Sequence, residues 1–270
     1  MSFLTGLKHS PVFFFTSTPL LPIMKPIRIW LIPAGPNPWK AVVILEELGI
    51  PYEITSIKFD DVKKAPYTDI NPNGRVPAIY DPNTDITLWE SGAIIQYLIE
   101  QYDTDHKLTY TTLMEKHHLN QWLQFQMSGQ GPYYGVAAWF NVLHPEKLPS
   151  AIERYNNQLK RVLGVLDGWL KTRQWLVGDK MTYADLAFVP WNDRIDSVIL
   201  CKPEEKFAGF PNVKAWHERM ISRPAWKRCM EVREPLMKEQ GLDQETGRPA
   251  RFKTHQEYEE AVARGENTDP

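Results

Sequence analysis

Asn37 is the one polar side chain in the stretch Pro33-Ala34-Gly35-Pro36-Asn37-Pro38-Trp39. Its amide can donate an N–H to an anion, and its oxygen equally suits the N-cap of the helix that begins there. Glu90-Ser91-Gly92 opens a second helical stretch. A helix N-terminus, with unpaired N–H groups and the positive end of the dipole, favours a carboxylate. Ser91 can serve that purpose or simply cap the helix. Lys63, Lys64 and Arg75 are cations around the turn-forming run Asn71-Pro72-Asn73-Gly74-Arg75, where each could meet a carboxylate or stand as a solvated surface charge. Cys201 and Cys229 are spaced for neither a redox pair nor a zinc site, so they read as small buried hydrophobes; no metal site is expected.

These residues need a frame. Residues 27–32 form a short apolar, β-branched run that predicts a buried central strand, followed by the Pro33 loop. The next segment predicts a helix with Asn37 at its N-cap, Pro38 at its first position, a stripe of Val42, Leu45 and Leu48, and Gly49 at its end. Residues 52–59 predict a second strand, parallel to the first across this helix. Residues 76–80 and Ile86–Trp89, separated by Asp81-Pro82-Asn83-Thr84-Asp85, predict a hairpin, and a helix carrying Ile94, Ile95, Leu98 and Tyr102 follows. The order is βαβ then ββα over residues 25–104.

After a polar linker at 103–112, helical periodicity dominates residues 112–237, predicting a separate all-helical domain. Thr182-Tyr183-Ala184-Asp185 has the form of a capping box, with Met181 and Leu186 as its hydrophobic staple, so Asp185 reads as structural. Trp122, Phe125, Tyr133, Tyr134, Trp139 and Phe140 enrich the start of this domain in aromatic rings. Helical spacing places Trp122 and Phe125 in the core, whereas Gly129, Gly131 and Pro132 put Tyr133 and Tyr134 at a break, as candidates for a substrate pocket. Residues 238–270 read as a polar mobile tail with one weak helical stretch at 256–263. Residues 1–24 hold no Asp, Glu or Arg, and Pro11, Pro19 and Pro22 interrupt them; they read as a disordered tail, with a weak targeting signal or a start at Met24 as alternatives.

With 270 residues, 43% of them hydrophobic, the chain can bury a sizeable core. Its formal charge of -2 supplies no global field toward nucleic acid, and no apolar run is long enough to span a bilayer. Two unpaired-looking cysteines suit a reducing compartment, and the cytoplasm is the expected location.

Four motifs in order, Ala34-Gly35-Pro36-Asn37, Asn71-Pro72-Asn73-Gly74-Arg75-Val76-Pro77-Ala78, Trp89-Glu90-Ser91-Gly92-Ala93-Ile94 and Val177-Gly178-Asp179-Lys180-Met181-Thr182-Tyr183-Ala184-Asp185, resemble those of the glutathione transferases. The resemblance covers roughly residues 26–235 and is nearest the nu-type bacterial enzymes and the fungal group related to the prion-forming nitrogen regulator. It implies a thioredoxin-like domain that holds glutathione as cosubstrate, a helical domain that receives a small hydrophobic electrophile, and a homodimer. It implies that Ser91 receives the γ-glutamyl carboxylate, Glu90 pairs with the α-amino group, and the main chain of Val76, before a cis Pro77, pairs with the cysteinyl portion. Lys63, Lys64 and Arg75 remain for the glycyl carboxylate. The loop before the first helix faces the sulfur in this family, which makes Asn37 the catalytic candidate, donating to the thiolate with help from the helix N-terminus. Conjugation is the first expectation. Glutathione-dependent disulfide or peroxide reduction, isomerisation and a non-catalytic regulatory role are the alternatives; residues 1–24 contain neither Asn nor Gln, unlike the regulator's prion segment.

Overall fold

The computed structural model describes residues 24–266, so the expectation for the amino-terminal tail lies almost wholly outside the described residues. β1 (Ile27–Leu31) is the centre of a four-stranded sheet of order β2-β1-β3-β4. Its inward residues Ile27, Ile29 and Leu31 are fully buried, as the alternation of a strand requires. β2 (Tyr52–Ser56) pairs with it in parallel, Ile29 opposite Ile54, while β3 (Ala78–Asp81) runs antiparallel on its other side, Ile29 opposite Ile79. β4 (Ile86–Trp89) completes the hairpin with β3.

α1 (Pro36–Leu48) makes the crossover from β1 to β2. It begins two residues earlier than expected: Gly35 is the N-cap, in extended conformation, and Asn37 lies inside the first turn. Two prolines explain the start, because neither Pro36 nor Pro38 loses a hydrogen bond in a turn whose N–H groups have no helical partner. Every residue from Pro38 to Leu45 is buried, since α1 is covered by α3 on one side and by the helical domain on the other. The narrow stripe expected from sequence understated this burial. A short α2 (Tyr67–Ile70) precedes β3, and α3 (Ser91–Tyr102) follows β4 and packs against α1.

α4 (Leu113–Phe125) opens the helical domain. The chain then stays helical through a π-helical turn at Gln126–Gln130, α5 (Gly131–Ala138) and a second π-helical turn at Trp139–Leu143. The break expected at Gly129, Gly131 and Pro132 is therefore corrected. Pro132 stands at the start of a new helical register, where its missing N–H is tolerated, and the widened turn absorbs the change. α6 (Pro149–Leu170), α7 (Tyr183–Leu186), α8 (Val189–Asp193), α9 (Ile195–Ile199), α10 (Pro211–Ile221) and α11 (Pro224–Glu239) complete the bundle. The capping box forms at α7: Asp185 accepts from the Thr182 N–H at 2.9 Å and its hydroxyl at 2.8 Å, and also from the Leu176 N–H and the Trp216 indole. Burial pushes the Asp185 carboxyl up, against the pull of those donors.

The expected mobile tail after residue 237 is also corrected. α11 runs on to Glu239, Gln240 donates to Ser56 Oγ at 2.7 Å, and the Arg194 guanidinium holds the Thr246 carbonyl at 2.7 Å. α12 (His255–Ala263) buries Tyr258 and Ala261 and packs against the π turn at Trp139–Leu143. The anchors are arginines and main-chain carbonyls far apart in sequence, which local polarity does not reveal.

Candidate active site

The N-termini of α1 and α3 converge where the two domains meet. At the α3 end, Glu90 has φ 71 and ψ 113, a conformation that costs a residue with a side chain about 1–3 kcal/mol and therefore marks a place where the surroundings, not local preference, set the backbone. The bend leaves Glu90 exposed and turns Ser91, the first residue of α3, inward to 4% exposure. Gly92 packs closely here: a Cβ would stand 3.1 Å from Met127 Cγ, so an added side chain would need Met127 to shift by a few tenths of an ångström.

Lys40, one turn along α1 from Asn37, is buried beneath this corner with 1% exposure. Its Nζ donates to Gln126 Oε1 at 2.7 Å and to Ser91 Oγ at 3.3 Å. Gln126 Nε2 in turn donates to Gln130 Oε1 at 2.9 Å, and Gln130 Nε2 to Asn192 Oδ1 at 2.8 Å. This buried polar chain runs from the first domain into α8.

At the α1 end the loop is pinned: the Pro33 carbonyl accepts from the Trp39 indole at 2.9 Å and from Arg233 Nε at 3.1 Å. Asn37 is half-buried, and the Trp191 indole N–H donates to its Oδ1 at 3.0 Å. An indole N–H is a donor only, so the oxygen of the amide is engaged and its NH2 end is left to donate elsewhere. Trp191 lies against Gly131 and Gly135 of α5, and its ring meets Tyr134 edge to face at 6.2 Å. Replacing Trp191 with Phe should keep the packing and release the amide. A neutral hydrogen bond of about 0.5–1.5 kcal/mol predicts a roughly twofold to tenfold lower kcat/KM, read from steady-state kinetics with an unchanged unfolding temperature.

The Val76–Pro77 peptide is cis. The β1–β3 ladder begins at Ala78, so Val76 lies outside it. The turn before it is tight: Gly74 has φ 59, and a Cβ there would come within 2.7 Å of the Val62 carbonyl. Tyr67 and Asn71 both donate to the Arg75 carbonyl at 2.6 Å. Arg75 and Lys63 are both exposed, with Lys63 Nζ on the Asn73 carbonyl at 3.2 Å, whereas Lys64 pairs with Asp61. The structure thus brings Lys63 beside the Asn73–Arg75 turn and leaves Lys64 apart.

The expectation for the substrate pocket is half corrected. Tyr134 is fully buried and so cannot line an open pocket, because the continuous helix turns it under Trp191. Tyr133 is half-buried and has Arg161 of α6 over its ring. Cys229 is buried; Cys201 is half-exposed at the far end of α9, beside Asp196 and Glu205. Burial pushes both thiols up. Among the described residues no cluster of His, Cys, Asp and Glu could hold a metal, and no helix is long and apolar enough to cross a membrane.

Sequence reasoning did not find Lys40, Gln126 or Trp191. Lys40 had a signal, as the lone charge in the otherwise apolar run from Pro38 to Leu45. Trp191 had none, since it meets Asn37 across 154 positions.

The mixed four-stranded sheet, the two converging helix N-termini and the helical bundle define the class: a thioredoxin-like domain joined to an all-helical one. Residues 34–101 match the family described as glutathione S-transferase, N-terminal domain, and residues 104–224 match its C-terminal domain. The chain belongs to the glutathione S-transferase family, and it is an enzyme that uses glutathione as cosubstrate. It is 48% identical to the glutathione S-transferase-like protein gedE of Aspergillus terreus, over 76% of this chain and 94% of that protein. It is 46% identical to the glutathione S-transferase-like protein tpcF of Aspergillus fumigatus, over 78% and 97%. Among solved structures it is similar to the glutathione transferase URE2P6 from Phanerochaete chrysosporium in complex with oxidized glutathione, with a TM-score of 0.74 and 45% identity over 78% of this chain and 98% of that one.

Proposed function

We propose that this enzyme conjugates glutathione to a small hydrophobic electrophile, working as a cytoplasmic homodimer in detoxification. The observation that carries this reading is the Trp191 bond to Asn37, which leaves the Asn37 NH2 as a donor at the α1 N-terminus in a loop that contains no hydroxyl or thiol. Asn37 and the α1 N-terminus hold the sulfur as thiolate; the thiolate forms the new carbon–sulfur bond, and from an aryl halide the halide leaves with its electron pair. Ser91 and the α3 N-terminus receive the γ-glutamyl carboxylate, and Glu90, exposed at the corner, pairs with the α-amino group. Val76, outside the ladder, offers its main chain to the cysteinyl portion as an added strand would. Lys63 and Arg75 stand toward the glycyl carboxylate. Tyr133 is the aromatic side chain left as a wall for the electrophile.

No step needs a protein cysteine. The double variant Cys201→Ser, Cys229→Ser should conjugate a generic aryl halide within a few-fold of the unmodified rate, and the unmodified enzyme should favour the aryl halide over a hydroperoxide or a mixed glutathione disulfide. Loss of turnover in the folded double variant, or activity confined to the disulfide, would replace conjugation with a thiol-exchange mechanism.

A further inference from the structure

Lys40 is a cation almost wholly removed from water whose partners are all neutral: Ser91 Oγ, Gln126 Oε1 and, at 3.7 Å, Met127 Sδ. A buried charge without a counter-charge is costly, so such a group gives up its charge or takes an anion as partner. The polar chain through Gln130 and Asn192 turns the oxygen end of Gln126 toward Lys40, so the pocket is arranged for an ammonium. Directly above it is Ser91, at the N-terminus of the twelve-residue α3.

We propose that Lys40 is a positioning residue for glutathione: its ammonium, held by Gln126 and Ser91, is the buried counter-charge of the γ-glutamyl carboxylate, so that the tripeptide binds together with a proton whenever Lys40 starts out neutral. This rests on the proposed placing of that carboxylate at Ser91.

Burial pulls Lys40 down to about 7 in the free protein, with Glu90 pulling it upward. Glu90, at the β4–α3 corner, is thus the charged group acting on it; Ser91 of α3 and Gln126 and Met127 of the π turn are uncharged. Several other titratable groups on the helices packed against α1 are engaged elsewhere. Asp185 of α7 is held by Thr182 and Trp216, and Asp193 of α8 faces His217. On α11, Arg223 and Arg228 pair with Glu47 and Glu46 of α1 itself, and Arg233 holds the Pro33 and Gln244 carbonyls. Glu100, Tyr97 and Tyr102 lie at the far end of α3, where both tyrosines donate to Asp81. An arriving carboxylate stabilises the ammonium and raises its pKa. Between the free and bound values, binding takes up a proton and weakens by up to about tenfold per pH unit; below the free value it takes up none.

S-Methylglutathione tests this, because its blocked sulfur releases no proton. Calorimetry in two buffers of different ionisation enthalpy should give almost no uptake at pH 6 and approach one proton at pH 8, with Kd about fivefold higher at pH 8 than at pH 7. Lys40→Met should bind weakly and without pH dependence. Lys40→Arg, which stays charged, should bind with no proton uptake at either pH, and it decides the matter should Lys40→Met fail to fold. Binding by the unmodified enzyme without uptake at pH 8 overturns the proposal. Uptake that persists in Lys40→Arg belongs to the ligand's amine and overturns it too. Failure of the unmodified enzyme to bind S-methylglutathione at any pH would instead remove the glutathione-site reading on which it rests.

Discussion

Ser91→Ala should raise the Kd for glutathione about tenfold to a hundredfold. The hydroxyl is buried at the first position of α3, where its own helix offers unpaired N–H groups, and it accepts from Lys40 rather than donating to it. Its proton is directed at Met127 Sδ at 3.6 Å, a weak acceptor that an incoming carboxylate displaces. A charge-assisted hydrogen bond is worth about 1.5–3 kcal/mol, which converts to that range of affinity. The fold should tolerate the change, since Lys40 keeps its shorter bond to Gln126. Calorimetry on a variant with an unchanged unfolding temperature decides the point. Unaltered affinity would make Ser91 no more than the residue that opens α3.

Much of this arrangement was legible in the sequence because it is built from local rules. The β1 run, the Gly49 stop, the turn formers before Val76 and the Thr182–Asp185 box each act within a few residues, and each stands close to where its pattern placed it. The discrepancies have a common origin in contacts that join distant parts of the chain. Asn37 was expected at an N-cap, yet two prolines moved the helix start and the side chain found Trp191 instead. Tyr134 was expected beside a break, yet a π turn kept the helix whole and rotated the ring into the core. The segment after residue 237 looked too polar to fold, but Arg194, Arg233 and Ser197 hold its main-chain carbonyls, interactions that composition does not register. Lys40 shows the same limit: its presence in an apolar run was visible, whereas its position beneath Ser91 is a property of the packed α1–α3 pair.

Asn37→Ala should raise the pKa of enzyme-bound glutathione by about one to two units and lower conjugation at neutral pH roughly tenfold to a hundredfold. A free thiol titrates near 8.5, so little is thiolate at neutral pH. A hydrogen bond to the charged form lowers that value, and about 1.5–3 kcal/mol of it corresponds to about one to two units. In the unmodified enzyme the rising limb of rate against pH should therefore lie near neutrality. In Asn37→Ala it should move toward the free-thiol value and leave the rate at high pH less affected than the rate at pH 6.5. The α1 N-terminus is unchanged by the substitution, and its contribution sets how much depression survives.

Thiolate absorbance of bound glutathione, followed against pH in the unmodified enzyme and in Asn37→Ala at saturating tripeptide, is the most direct measure of whether Asn37 activates the sulfur. The expected result is a midpoint near neutrality for the first protein and one about one to two units higher for the second. Coincident titration curves from two proteins that both bind glutathione would contradict it.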